Sequence, residues 1–386
     1  MPSPGLAIDG PHAEVSAAIA GLTLVDHHVH SLVRQPPDEA AFLDMLTESD
    51  RPAAVAGWDT QLGVAVRRWC APVLGLEASA SAEAYLARRL PMDPREAARA
   101  FLAASGIGTL LVDTGFRGDA LFPVAELAEL ARARVQPIVR LEAVAEDLAQ
   151  SGVSAAGYPS AMRAAIDAAL ATSVGFKTVL AYRGGLDIDP EPPTDSDVVA
   201  AAGRWLAEVE ATGRARLVDR VLLRFGIWEA ARTGRPLQVH TGFGDSDLDL
   251  HRADPALLTP LLRRTEGVCP VMLLHTYPYH RTAGYLAQMF GHVHMDVGLA
   301  VHHTGVASER IVAESLELAP LSRVLFSTDA WGLPELVLLG SLLYRRGLAR
   351  ALGRWVADGD WSLADAMRAA ELIGRENARR VYGLRD

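Results

Sequence analysis

Lysine is nearly missing from this sequence: its 37 basic residues include a single lysine, Lys177. Cysteine is almost as scarce. Cys70 and Cys269 stand far apart, which excludes a disulfide framework and a thiolate metal or redox motif, and predicts reduced thiols in a cytoplasmic protein. There is no block of basic residues and the net charge is -10, so neither nucleic acid nor an anionic membrane is an expected partner. Apolar runs are short: Leu336 to Tyr344 falls far below the ~20 residues of a membrane span. Met1 to Leu22 lacks both a cationic start and a long apolar core, so no secretory signal is expected. Glycine-rich phosphate loops and the G-x-S-x-G nucleophile motif are also missing.

What is present is a chain of 386 residues, half of them apolar. That length suits two or three domains, or one α/β barrel with insertions. The order of apolar runs favours the barrel. Strands are predicted at Leu22 to His28, Gly108 to Asp113, Gln136 to Glu142, Val174 to Tyr182, Arg235 to His240, Pro270 to His275, His292 to Val297 and Ser322 to Asp329, with helical stretches between them. Strand-length runs alternating with helices imply parallel pairing and a closed (β/α)₈ barrel. Residues 36–105 show helical spacing and no strand, so a helical insertion is expected after the first strand, within one domain spanning 1–386. The last helix is predicted to open at Ser362, capped with Asp365 three residues on.

In such barrels, reacting groups gather at the C-terminal strand ends. His28 and His30 share strand parity there, with Asp26 beneath them and His27 facing the other way. Lys177 lies on the fourth strand, and His240, His275 and Asp329 end the fifth, sixth and eighth. These residue types can bind a divalent metal. A metal lowers the pKa of bound water towards 7, and two ions can share a bridging ligand. Lys177, carboxylated by carbon dioxide, would be such a bridge; left as an amine it would orient substrate. Asp329 is expected to ligate and to move a proton, and His275 or the metal to polarise a carbonyl. Arg183, on the parity of Lys177, could clamp a substrate carboxylate. Tyr182 and Trp331 are candidate pocket walls and His303 a candidate substrate contact. Arg140 and Glu142 share a face, for substrate or as an ion pair. His292 and His294 repeat the His-x-His spacing at the wrong end of a strand, and Asp245, Asp247 and Asp249 suggest an acidic cover rather than a calcium loop.

The series Asp26-x-His28-x-His30, Lys177, His240, His275, Asp329 resembles the amidohydrolase superfamily of metal-dependent barrel hydrolases. Gly175-Phe176-Lys177-Thr178, Pro236 through Asp249, Leu274 through Pro278 and Leu325 through Asp329 are similar to the amidohydrolase-like half of the FluG and nodulin-related proteins. The resemblance implies one or two divalent ions, zinc first, with manganese or iron as alternatives. It implies C–N hydrolysis of a small molecule, and the ligase half fused in those relatives suggests a γ-glutamyl amide. A metal-dependent decarboxylase or sugar-acid isomerase, and a non-catalytic regulatory barrel, are the competing readings. A homo-oligomer is compatible with the sequence.

Overall fold

A computed structural model describes residues 7–50 and 57–385. The first six residues of the predicted signal-free N-terminus, residues 51–56 of the predicted insertion and residue 386 lie outside the described residues. Seven parallel strands follow one another round a curled sheet in chain order: β1 (Leu24–Val29), β2 (Ile107–Asp113), β3 (Arg134–Arg140), β4 (Gly175–Thr178), β5 (Leu237–His240), β6 (Val271–Leu274) and β7 (Val293–Met295). Helices lie between them, as the alternation predicts. Val25, Leu111, Ile138, Met272, Leu274, Leu325 and Tyr382 fill the barrel interior as a small separate cluster. The larger core packs the outer strand faces against helices.

The expected eighth strand is an extended segment, residues 324–330, rather than a regular one. It still closes the barrel. Leu325 N–H donates to Met295 of β7, while His27 and His30 donate to Phe326 and Ala330, and Asp329 donates to His28. Its ladder is interrupted where Asp26 takes the Thr328 amide along with its hydroxyl and where Asp329 adopts φ 51°; Asp296 holds the Ser327 hydroxyl.

Three further expectations need correction. β4 stops at Thr178, whose hydroxyl accepts from Leu180 N–H, and Leu180–Arg183 is a helical turn, so Arg183 has no strand parity with Lys177. β3 ends at Arg140 and Leu141 opens a helix, which separates Arg140 from Glu142. Arg140 instead pairs with Asp113 at 2.6 Å, and Glu142 accepts from Thr178 and Val179. In β1, the register shifts between Asp26 and Val29. His27 therefore faces inward, bonded to Tyr382 and Asp296. Asp26 faces the helix layer, because its partner Thr328 abuts Gly340 of helix Pro334–Ala357. Such bulges commonly re-aim a side chain beside an active site; here the bulge brings His28 into the interior with its neighbour.

The insertion is helical as expected, in short pieces: Glu39–Asp44, Gln61–Ala65, Val66–Cys70, Ala71–Leu74 and Ala82–Arg89. A buried ion pair, Arg89 Nε to Glu335 Oε1 at 2.6 Å, with Tyr85 donating to the same oxygen, fastens it to helix Pro334–Ala357. That helix contains the Leu336 to Tyr344 run, almost wholly buried. Among the described residues no helix is long and apolar enough to cross a membrane. Helix Leu363–Glu371 is capped by Ser362, which accepts from Asp365 N–H.

Candidate metal centre

The predicted side chains meet at the C-terminal end of the strands. His28 Nε2 lies 3.0 Å and His30 Nε2 3.4 Å from Asp329 Oδ1, and His275 Nε2 lies 3.3 Å from Oδ2. The His240 ring sits 4.9 Å from that of His275, and its Nε2 is buried without a partner. Lys177 Nζ is 2.9 Å from His28 Nε2. The backbone is held in the left-handed region at both His275 (φ 60°) and Asp329 (φ 51°), a strained conformation that clusters at functional sites.

A hydrogen-bond chain fixes the state of His28. Gln238 Nε2 donates to the His27 carbonyl and to Tyr382 Oη, so Gln238 Oε1 faces His28 Nδ1 at 2.7 Å. His28 Nδ1 therefore carries the proton and donates, leaving the Nε2 lone pair directed at the centre. Asp296 organises the opposite side by accepting from His27, Ser327 and the backbone of His275 and Gly298.

Charge follows from burial. Desolvation lowers His28 to about 4 and holds His240 and His275 well below the usual imidazole range. Burial opposes charge on Asp329, yet the imidazoles facing it keep its carboxyl well below the ordinary value. Burial also lowers the Lys177 amine, against the pull of Asp113 and Asp329. His28, His240 and His275 held neutral near an ionised carboxylate, with His240 and His275 nitrogens buried and unpartnered, can turn lone pairs toward one point. That arrangement fits a divalent cation, since buried polar atoms otherwise pair. His28, His30 and Asp329 offer ligand atoms within 4.8 Å of one another.

A cavity of about 280 Å³ opens above these groups. His30, Lys177, Tyr182, Arg183, His240, Asp329 and Trp331 line it with Arg140, Asp245 and Asp247; Phe116, Arg216 and Glu48, which the sequence did not single out, line it too. Arg183 reaches it from the helical turn, paired with Glu146 at 3.2 Å. The Tyr182 ring packs 4.5 Å from His240. Gly244 is needed beside it, since a Cβ there would meet Tyr182 Oη at 2.0 Å. His303 is placed behind the wall, with Nε2 3.3 Å from Glu48 Oε1, so Glu48 faces the cavity in its stead. His275 is wholly buried beneath the floor. His292 and His294 stay apart from the centre, bonded to Thr265 and to the His292 carbonyl. Asp245 and Asp247 do line the cavity; Asp247 pairs with Arg216, and burial raises Asp245 to about 6.

The chain's likenesses agree with this geometry. It is 35% identical over 224 residues to protein fluG of Emericella nidulans, an overlap that covers 55% of this chain and 26% of fluG. The chain thus spans about a quarter of that relative's length. A solved protein of Lactobacillus casei ATCC 334, described as a metal-dependent hydrolase, superposes with TM-score 0.81 at 27% identity, covering 96% of this chain and 97% of that one. Uronate isomerase of Thermotoga maritima shares the fold, with TM-score 0.65 at 13% identity over 99% of both chains. A family model described as amidohydrolase matches residues 25–384, a span that contains every inward-facing donor from His28 to Asp329, and the chain belongs to that family.

Proposed function

We propose that this protein hydrolyses an amide or related C–N bond in a small molecule bearing a carboxylate, with a γ-glutamyl amide as the first candidate. The observation that carries the reading is the convergence of His28, His30 and His275 nitrogens on both oxygens of an ionised, buried Asp329. With His240 they would hold a divalent ion, zinc by donor type with manganese or iron as alternatives. Such an ion would polarise the substrate carbonyl and lower the pKa of attacking water towards 7.

The chain's own groups do the remaining work. Asp329 takes a proton from the attacking water and delivers it to the departing nitrogen, as the C–O bond forms and the C–N bond breaks. Lys177, its pKa lowered by burial, favours the uncharged amine that combines with carbon dioxide; the resulting carboxylate would add an oxygen ligand able to join two ions. Arg183 and Arg140 line one flank of the cavity and are suited to a substrate carboxylate. Tyr182 and Trp331 wall the site, and His303 orients Glu48 at its mouth.

The test is amine release from γ-glutamyl amides by purified holoprotein, read by chromatography. Asp329→Asn should lower turnover by about 10²–10⁴-fold, the usual worth of a general acid–base group, with metal largely retained. Unchanged turnover would remove Asp329 from proton transfer. Carbon dioxide or an isomerised sugar acid appearing in place of amine would replace hydrolysis by another reaction. Intact mass under gentle conditions reports a carboxyl group on Lys177.

A further inference from the structure

Beyond the indole of Trp331 lies a second cavity of about 540 Å³, larger than the one over the metal-type donors. Among the described residues, Trp331 is the one that lines both. Phe116 meets the indole edge-on, centroids 5.6 Å apart at 83°, and lies 5.0 Å from the His30 ring. The Arg117 guanidinium rests 4.6 Å over the indole. The backbone braces the same place: Gly332 N–H donates to the Ser31 carbonyl and Val33 N–H to the Gly332 carbonyl, each at 3.0 Å. These bonds zip the chain after β1 to the chain after the closing segment, with Trp331 between the cavities.

The lining tells the chemistry. Its buried or half-buried walls include Val33, Pro37, Met45 and the indole, all apolar. Its charged residues, Arg34, Asp38, Asp44, Arg117 and Asp119, are exposed and of both signs. Apolar walls whose charged neighbours keep their heads in water suit a neutral apolar group. Small-molecule sites usually occupy about 300–1,000 Å³; the inner cavity alone falls just below that range, and the two together lie well inside it. Direction follows from the residues. Arg140 and Arg183 line only the inner cavity, and Asp329 stands two residues before Trp331. An amide with its carboxylate at the arginines and its nitrogen at Asp329 would have its N-substituent toward Trp331, the residue shared with the outer cavity.

We propose that the outer cavity is a subsite for a neutral apolar N-substituent, aryl or alkyl, and that Trp331 and Met45 determine specificity there. Its part in turnover rests on the amide-hydrolase reading; its occupancy does not, and occupancy is what the experiment measures. Fluorine NMR titration of holoprotein with para-fluoroacetanilide gives a dissociation constant whether or not the amide is cleaved, since the intact anilide and free para-fluoroaniline have separate signals. Ala41 lines the outer cavity and not the inner. Ala41→Trp should weaken the aryl amide about tenfold, a loss of about 1.4 kcal/mol, while acetate, small enough for the inner cavity, binds as before. Met45→Ala, which strips an apolar wall of the outer cavity alone, should also weaken the aryl amide and leave acetate unchanged, and it decides the matter if Ala41→Trp misfolds and loses both probes. No saturable aryl binding to the unaltered protein, or equal affinity in the variants, overturns the subsite. Binding in the expected pattern without amine release from any amide keeps the subsite and discards the hydrolase reading.

Discussion

One proton on one imidazole decides what the centre can hold. If His28 carried it on Nε2, an N–H would point at Asp329 and Lys177 and no lone pair would face a cation. Gln238 prevents this, because its amide is fixed from behind by the His27 carbonyl and Tyr382. Replacing Gln238 by Leu should lower metal affinity about 10–100-fold, the usual cost of losing a ligand-orienting partner. Competition against a chromogenic chelator measures it, and an unaltered affinity would show that His28 needs no such support. The ligand-type residues were legible because His240, His275 and Asp329 each end an apolar run, which makes their chemistry stand out. Gln238 fell within the predicted fifth strand, but an uncharged amide gives no chemical signal, and the sequence did not single it out. Glu48 and Phe116 were not legible, since a loop of the insertion and a turn after β2 bring them in, and neither has a period to follow.

At the scale of elements, β2, β5 and β6 could be read to within a residue or two because their hydrophobic runs are buried on both faces. The closing segment was located but not its irregularity, because the Asp26 side chain takes the Thr328 amide and Asp329 turns into the left-handed region. Strict alternation also misplaced Asp26 and His27, since a bulge leaves no mark in a six-residue strand. The pairing of Asp113 with Arg140, across the ends of β2 and β3, gives this scale its prediction. Burial raises the Asp113 carboxyl, but Arg140 more than offsets it and holds it below the ordinary value. A carboxylate with a lowered folded pKa stabilises above its unfolded value of about 3.9, and that contribution fades as pH falls through the folded value. Asp113→Asn should therefore cost about 3–5 kcal/mol at pH 7, the range for breaking a buried pair. The cost should shrink once the pH drops below about 4. Urea denaturation at both pH values checks this, and an equal penalty at each would mean that charge is not what the pair contributes.

At the scale of the whole molecule, the candidate ligands come from β1, β5, β6 and the closing segment, so an ion among them would tie together parts of the barrel wall that are distant in sequence. The wall needs such a tie. Barrel closure runs through an irregular segment with few main-chain bonds to β7 and β1, beside buried imidazole nitrogens without a protein partner. The insertion is held independently by Arg89 and Glu335, so loss of the ion should loosen the barrel seam first. A ligand that binds only the folded state at about 1,000 times its dissociation constant stabilises it by roughly 4 kcal/mol. Dialysis against a chelator should accordingly lower the melting temperature by several degrees, reversibly on adding back the metal. Amide hydrogen exchange should rise in residues 324–330 and β1 before it rises in residues 82–89. Equal protection with and without metal, after its removal has been verified by elemental analysis, would mean that the donors do not hold a structural tie across the seam.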